Sequence, residues 1–156
     1  MVAPADFSRY LQSLVDAYSF QQDRYTLTDL QVEIRVETPV SPEQPHAKEE
    51  VKIERSPVLA GLRKYMQQGH VLLVGKPGSG KSTALQRLRW ELARSALKDE
   101  TQPIPVLVGL RGLRKDCGIL EAIAAELQNG DLDLDFEATE IRRLLLKGQL
   151  FCYWMG

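Results

Sequence analysis

Gly75, Lys76, Pro77, Gly78, Ser79, Gly80, Lys81 and Ser82 carry the most specific chemistry in this chain. In that order they fit G-x-x-x-x-G-K-[ST], the pattern of a phosphate-binding loop, or P-loop. A chance match in a chain of this length is on the order of one in a few hundred. Gly75, Gly78 and Gly80 let backbone N–H groups close around phosphate oxygens, because a Cβ would block the approach or the positive φ. Pro77 stiffens the loop, and Lys76 and Ser79 complete its variable positions. Lys81 is expected to reach the β- and γ-phosphates as a point charge. The Ser82 hydroxyl is expected to ligate Mg²⁺. Thr83 has two readings, a contact to the α-phosphate or a plain helix cap. The ligand class implied is a nucleoside triphosphate with magnesium. The plainer alternative is a Gly-rich turn between a strand and a helix.

Such a loop needs a buried strand before it and a helix after it. Residues 70–74, His-Val-Leu-Leu-Val, read as a buried parallel strand. Leu85, Leu88, Leu92 and Ala96 then recur at helical spacing, with Arg87, Arg89, Glu91 and Arg94 between them. A helix N-terminus at this point adds partial positive charge toward a bound anion.

Ile104, Val106, Leu107, Val108 and Leu110 mark a second apolar strand, with Pro105 early in it, where a missing N–H is tolerated. Ile119, Leu120, Ile123, Ala124 and Leu127 predict a helix closed by Asn129-Gly130. Ile141, Leu144 and Leu145 predict another, with Gly148 as its C-terminal glycine, and Leu150 opens a third apolar strand. Asp131, Asp133 and Asp135 lack the Gly and terminal Glu of a calcium loop and read as a solvated turn.

Upstream, Phe7, Tyr10, Leu11, Leu14, Val15 and Tyr18 form an amphipathic helical stripe with Asp6 as N-cap. Val32, Ile34 and Val36 alternate with charged residues as a half-exposed strand with no evident hairpin mate. Residues 38–50 hold Pro39, Pro42 and Pro45 and read as a linker. Ser56 and Pro57 mark a helix start, as N-cap and first helical residue, and Val58, Leu62 and Tyr65 give that helix an apolar side. The expected organisation is therefore an N-terminal helix–strand extension over 1–37, a linker over 38–50, and the front of an α/β nucleotide-binding domain with parallel strands over 51–156.

With 156 residues, 44% of them hydrophobic, the chain can bury one ordinary core. A formal net charge of −1 gives no global reason to expect nucleic acid or an anionic membrane as partner. The basic clusters Arg111, Arg114, Lys115 and Arg142, Arg143, Lys147 read as solvated faces. Cys117 and Cys152 are spaced for neither a disulfide framework nor a zinc site, which fits a reducing cytoplasm. No early apolar stretch has signal-peptide form, and no run is long enough for a membrane span.

From about Val51 the chain resembles the front of a NACHT domain of bacterial, particularly cyanobacterial, type. NACHT domains are a branch of the signal-transduction ATPases with numerous domains. The resemblance rests on the stretch from Lys52 through Ser56-Pro57 to Leu59, on residues 70–83, and on residues 104–111. Residues 7–29 resemble the leader of such proteins. The resemblance implies a partial three-layer P-loop NTPase fold, ATP and Mg²⁺ as ligands, and use as an ATP-driven switch. Other NACHT proteins or a second copy of the chain are the protein partners it implies. It also implies that the next family element, the Walker B strand, ends in an Asp that supports Mg²⁺. Here that strand reads Leu150-Phe151-Cys152-Tyr153-Trp154-Met155, without the Asp. Hydrolysis is accordingly expected to be weak or absent.

Two alternatives stand beside a nucleotide-binding module. One is a non-catalytic regulator that docks on intact relatives through the N-terminal helix and strand. The other is a frameshifted gene product without an independent role. A small P-loop kinase ranks lower, because no substrate lid is evident. In the family a later strand separates the P-loop strand from the Walker B strand, so exposed strand edges and low stability are expected of this chain alone.

The codons of residues 151–156 are TTY TGY TAY TGG ATG GGN, with Y either pyrimidine. Read from the third base of the Phe codon, they become YTG, YTA, YTG, GAT and GGG. These encode Leu-Leu-Leu-Asp-Gly whatever Y is, an apolar strand ending in the family's Asp. The expected cause is a frameshift near the codons of Gln149 and Leu150, or an error in the sequence read; the plainer alternative is an ordinary C-terminal strand with aromatics. Sequencing the locus past codon 156 should find a NACHT continuation in the alternate frame; its absence there contradicts the frameshift.

Overall fold

The computed structural model describes residues 6–22, 31–36, 52–68, 70–109, 118–131 and 135–155. Their elements run α1 (Ser8–Gln22), β1 (Gln31–Val36), β2 (Lys52–Pro57), α2 (Val58–Met66), α3 (Lys81–Ala96), β3 (Ile104–Gly109), α4 (Ile119–Gly130), α5 (Ala138–Leu146) and β4 (Leu150–Met155). The class is mixed α/β. The chain divides into two compact units, Leu27–Ala84 and the pair of segments Met1–Thr26 and Leu85–Gly156. The division falls inside α3. The linker expected over 38–50, Cys117, and the basic cluster Arg111, Arg114, Lys115 lie outside the described residues. Among the described residues no helix is long and apolar enough to cross a membrane.

In the larger unit, β3 and β4 pair in parallel, Ile104 opposite Leu150 through Gly109 opposite Met155. This confirms the two apolar runs as strands. Ile104, Val106 and Val108 lie on one face with Leu150 and Cys152, and that face joins Tyr10, Leu11, Ala93, Ala96, Ile123, Leu127 and Ile141 in a single core. The stripe on α1 is thus a packing face. Phe7 stacks on Phe136 at 5.8 Å, and Tyr18 meets Trp90 at 5.3 Å. α1 shares its core with α4 and β3. Asp6 accepts the Ser8 N–H at 2.9 Å, and these Ser8 hydrogen bonds hold its carboxyl below the usual range.

Tyr10 is fully buried, and its hydroxyl donates to the Pro105 carbonyl at 2.9 Å. Ile104 N–H bonds the Gln149 carbonyl at 2.8 Å, so Ile104 faces β4 and Pro105 faces the outer edge of β3. There Pro105 has no N–H to leave unpaired, and Tyr10 satisfies its carbonyl. Arg89 reaches the Tyr10 hydroxyl at 3.3 Å and Glu126 at 2.8 Å, tying α3 to α1 and α4. α5 ends as expected at Gly148, whose φ is 67°. Gly148 N–H bonds Leu145 and Gln149 N–H bonds Leu144, the paired closure of a Schellman motif. Arg142, Arg143 and Lys147 are exposed, as a solvated helix face requires.

In the smaller unit, β1 pairs antiparallel with β2, Gln31 opposite Pro57 and Val36 opposite Lys52. β2 is the mate that the sequence did not disclose. α2 packs on this pair through Val58 and Leu62. Its N-cap is Pro57, in extended conformation at φ −54° and ψ 136°, because β2 runs through that residue. The expected Ser56 cap is corrected accordingly: α2 has no side-chain cap.

Residues 70–74 are not a strand, contrary to the sequence expectation. Leu72 is 86% and Val74 79% exposed, so the run is not buried either. A strand is defined by a neighbour that takes its N–H and C=O groups. β3 and β4 pair with each other, β1 with β2, and none of them pairs with this segment. Among the described residues the parallel sheet has two strands rather than the three of the sequence reading.

A Cβ at Gly130 would run into the Tyr10 ring, whereas one at Gly109 would meet nothing within 4 Å. Gly130→Ala should cost about 1–3 kcal/mol in urea unfolding, as overpacking does, and Gly109→Ala should stay near wild type. Burial raises the Cys152 thiol from 9.0 to about 11. Over that interval the folded state keeps a proton that the unfolded state releases, so stability falls as pH rises. Cys152→Ala should make the fall of the urea midpoint between pH 9.0 and about 11 shallower, the buried Tyr10 and Tyr153 hydroxyls keeping the remainder above pH 10.0.

Candidate functional site: the loop at 75–83

The loop is built from a turn, a glycine reversal and a helix start. Lys76-Pro77-Gly78-Ser79 closes with the Ser79 N–H on the Lys76 carbonyl at 3.2 Å. Pro at the second position and Gly78 at φ 77° at the third are the signature of a type II turn. Gly80, at φ 83°, reverses the chain again, and its carbonyl accepts the Ala84 N–H at 2.9 Å, the first bond of α3. Both glycines therefore sit where a side chain would be strained. At Gly75 a Cβ would lie 2.9 Å from Ser79 Oγ, so that hydroxyl would have to turn away. Anion-binding nests are built from backbone of alternating handedness; here the Ser79 N–H is already taken by the Lys76 carbonyl.

Lys81 begins α3 and folds back over the loop. Its Nζ donates to the Gly75 carbonyl at 2.7 Å, to the Lys76 carbonyl at 2.9 Å and to Ser79 Oγ at 3.4 Å. An ammonium has three donors, so all three are engaged within the loop. The two carbonyl contacts are short, and the hydroxyl contact is long and weak. A phosphate oxygen in place of Ser79 Oγ would leave the carbonyl contacts intact. Lys81, Ser82 and Thr83 also occupy the first turn of α3, where backbone N–H groups have no carbonyl one turn earlier.

Ser82 is exposed and Thr83 half-buried. Lys76, Pro77 and Gly78 are exposed as well. The structure thus brings all nine residues singled out by sequence into one continuous feature. Among the described residues no group of acidic, His or Cys side chains could hold a metal by itself.

Sequence reasoning missed a second polar cluster, on α3 and α1. The Arg87 and Arg94 guanidiniums lie 4.3 and 4.7 Å from the centre of the Trp90 ring, and Arg87 also pairs with Glu91 at 3.1 Å. The spacing of Arg87, Trp90 and Arg94 at i, i+3 and i+7 could have signalled it. Its partners are internal, and cation–π contacts of this kind stabilise by about 0.5–1 kcal/mol each. Arg89 with Tyr10 and Glu126 is likewise a structural network, made through its terminal nitrogen, while Arg89 Nε is buried without a hydrogen-bond partner.

No protein-family model, curated protein or solved structure matches this chain.

Proposed function

We propose that residues 75–83 bind the phosphates of a nucleoside triphosphate with Mg²⁺, and that the chain is an ATP-binding module of a NACHT-type signalling NTPase. The observation that carries this reading is the Lys81 ammonium, held over the loop by the Gly75 and Lys76 carbonyls at the start of a helix. A cation and a helix N-terminus meet there, and each favours a multiply charged anion. Bound Mg²⁺ would offset charge on the β- and γ-phosphates, with Ser82 the side chain that holds it.

One feature of the fold supports the family part of the proposal: β3 and β4 are parallel neighbours. Residues 70–74, where the family's P-loop strand would lie, pair with no strand among those described. β4 itself carries no acidic side chain to support Mg²⁺ or orient water. Binding without efficient turnover is therefore the proposed activity.

Equilibrium binding of labelled ATP with Mg²⁺ tests the reading. Wild type should bind saturably, and Lys81→Ala should weaken binding by about tenfold or more, the loss of one charge-assisted contact. Absence of saturable binding by wild type contradicts the proposal.

A further inference from the structure

The loop holds a second lysine whose part in phosphate binding the motif does not define. Lys76 is exposed, and its side chain has no hydrogen-bond or ion-pair partner among the described residues. Its backbone is fixed at three points. Its carbonyl receives the Lys81 ammonium at 2.9 Å and the Ser79 N–H at 3.2 Å, and Pro77 restrains it to extended conformation. With the carbonyl 2.9 Å from Lys81 Nζ, covalent geometry puts the Lys76 Cα within about 5 Å of that ammonium. A lysine side chain spans roughly 6 Å on its four-carbon stem, enough to cover the same volume.

We propose that Lys76 is a second phosphate-binding cation that contacts the terminal phosphate of a bound triphosphate and so favours triphosphate over diphosphate. This rests on the phosphate-binding reading given above and goes one step further. The N–H groups of residues 80–83 lie at the helix end of the loop and take the inner phosphates. The 76–79 turn lies at the other end, and Lys81 bridges the two. Two ammonium groups in so small a volume repel each other until an anion lies between them. The outermost phosphate of a triphosphate supplies that charge, and a diphosphate leaves the position empty. Because the turn already fixes the Lys76 backbone, only side-chain rotamers need be ordered on binding.

The test compares wild type, Lys76→Gln and Lys76→Arg in titrations with Mg·ATP and Mg·ADP. Lys76→Gln should weaken ATP binding by about tenfold and ADP binding by less than about twofold. Lys76→Arg should restore most of the ATP affinity. Because Lys76 is exposed, Lys76→Gln should melt as wild type does. If wild type binds both nucleotides and Lys76→Gln changes them equally, or neither, the role of Lys76 is overturned and the loop's phosphate binding stands. If wild type binds neither nucleotide, the phosphate-binding reading itself fails.

Discussion

The Tyr10 hydroxyl is the contact on which the larger unit depends. It donates to the Pro105 carbonyl and accepts from Arg89, and Arg89 in turn reaches Glu126. Four elements, α1, β3, α3 and α4, meet through one buried phenol. Burial raises its pKa, with the Arg89 charge acting in the opposite sense. The neutral hydroxyl is the form that can donate to Pro105. Gly130 is part of the same arrangement, since the Tyr10 ring lies where its Cβ would be. At the outer edge of β3, Pro105 offers no N–H and its carbonyl is taken by the Tyr10 hydroxyl.

The helix fixed by Arg89 is also the helix that begins at Lys81. Its first turn and the loop before it are organised by a different economy of contacts: Gly78 and Gly80 at positive φ, a type II turn, and an ammonium engaged by two carbonyls and a hydroxyl. Every one of these contacts is local in sequence, spanning six residues or fewer. Local geometry alone is enough to shape this loop.

That locality explains what the sequence disclosed. Pro77-Gly78 encodes its turn, and the glycines at 78 and 80 encode their positive φ, with no help from distant residues. The runs at β3 and β4 and the closing glycine of α5 were legible for similar reasons. Residues 70–74 were misread because their composition matches that of β3, and only a neighbour distinguishes a strand from an unpaired segment. β2 was hidden because it carries few apolar residues and lies far along the chain from β1, with no tight turn between them. Arg89 looked like one of several surface arginines, and its inward role depends on Tyr10, 79 residues away.

Backbone amide NMR of the isotope-labelled chain, titrated with Mg·ATP, tests the central claim most directly. Resonances of Gly78, Gly80, Lys81, Ser82 and Thr83 should shift together and saturate, because their N–H groups line the cradle. Saturable shifts confined to other residues, or no saturable shift in this loop, would contradict the account.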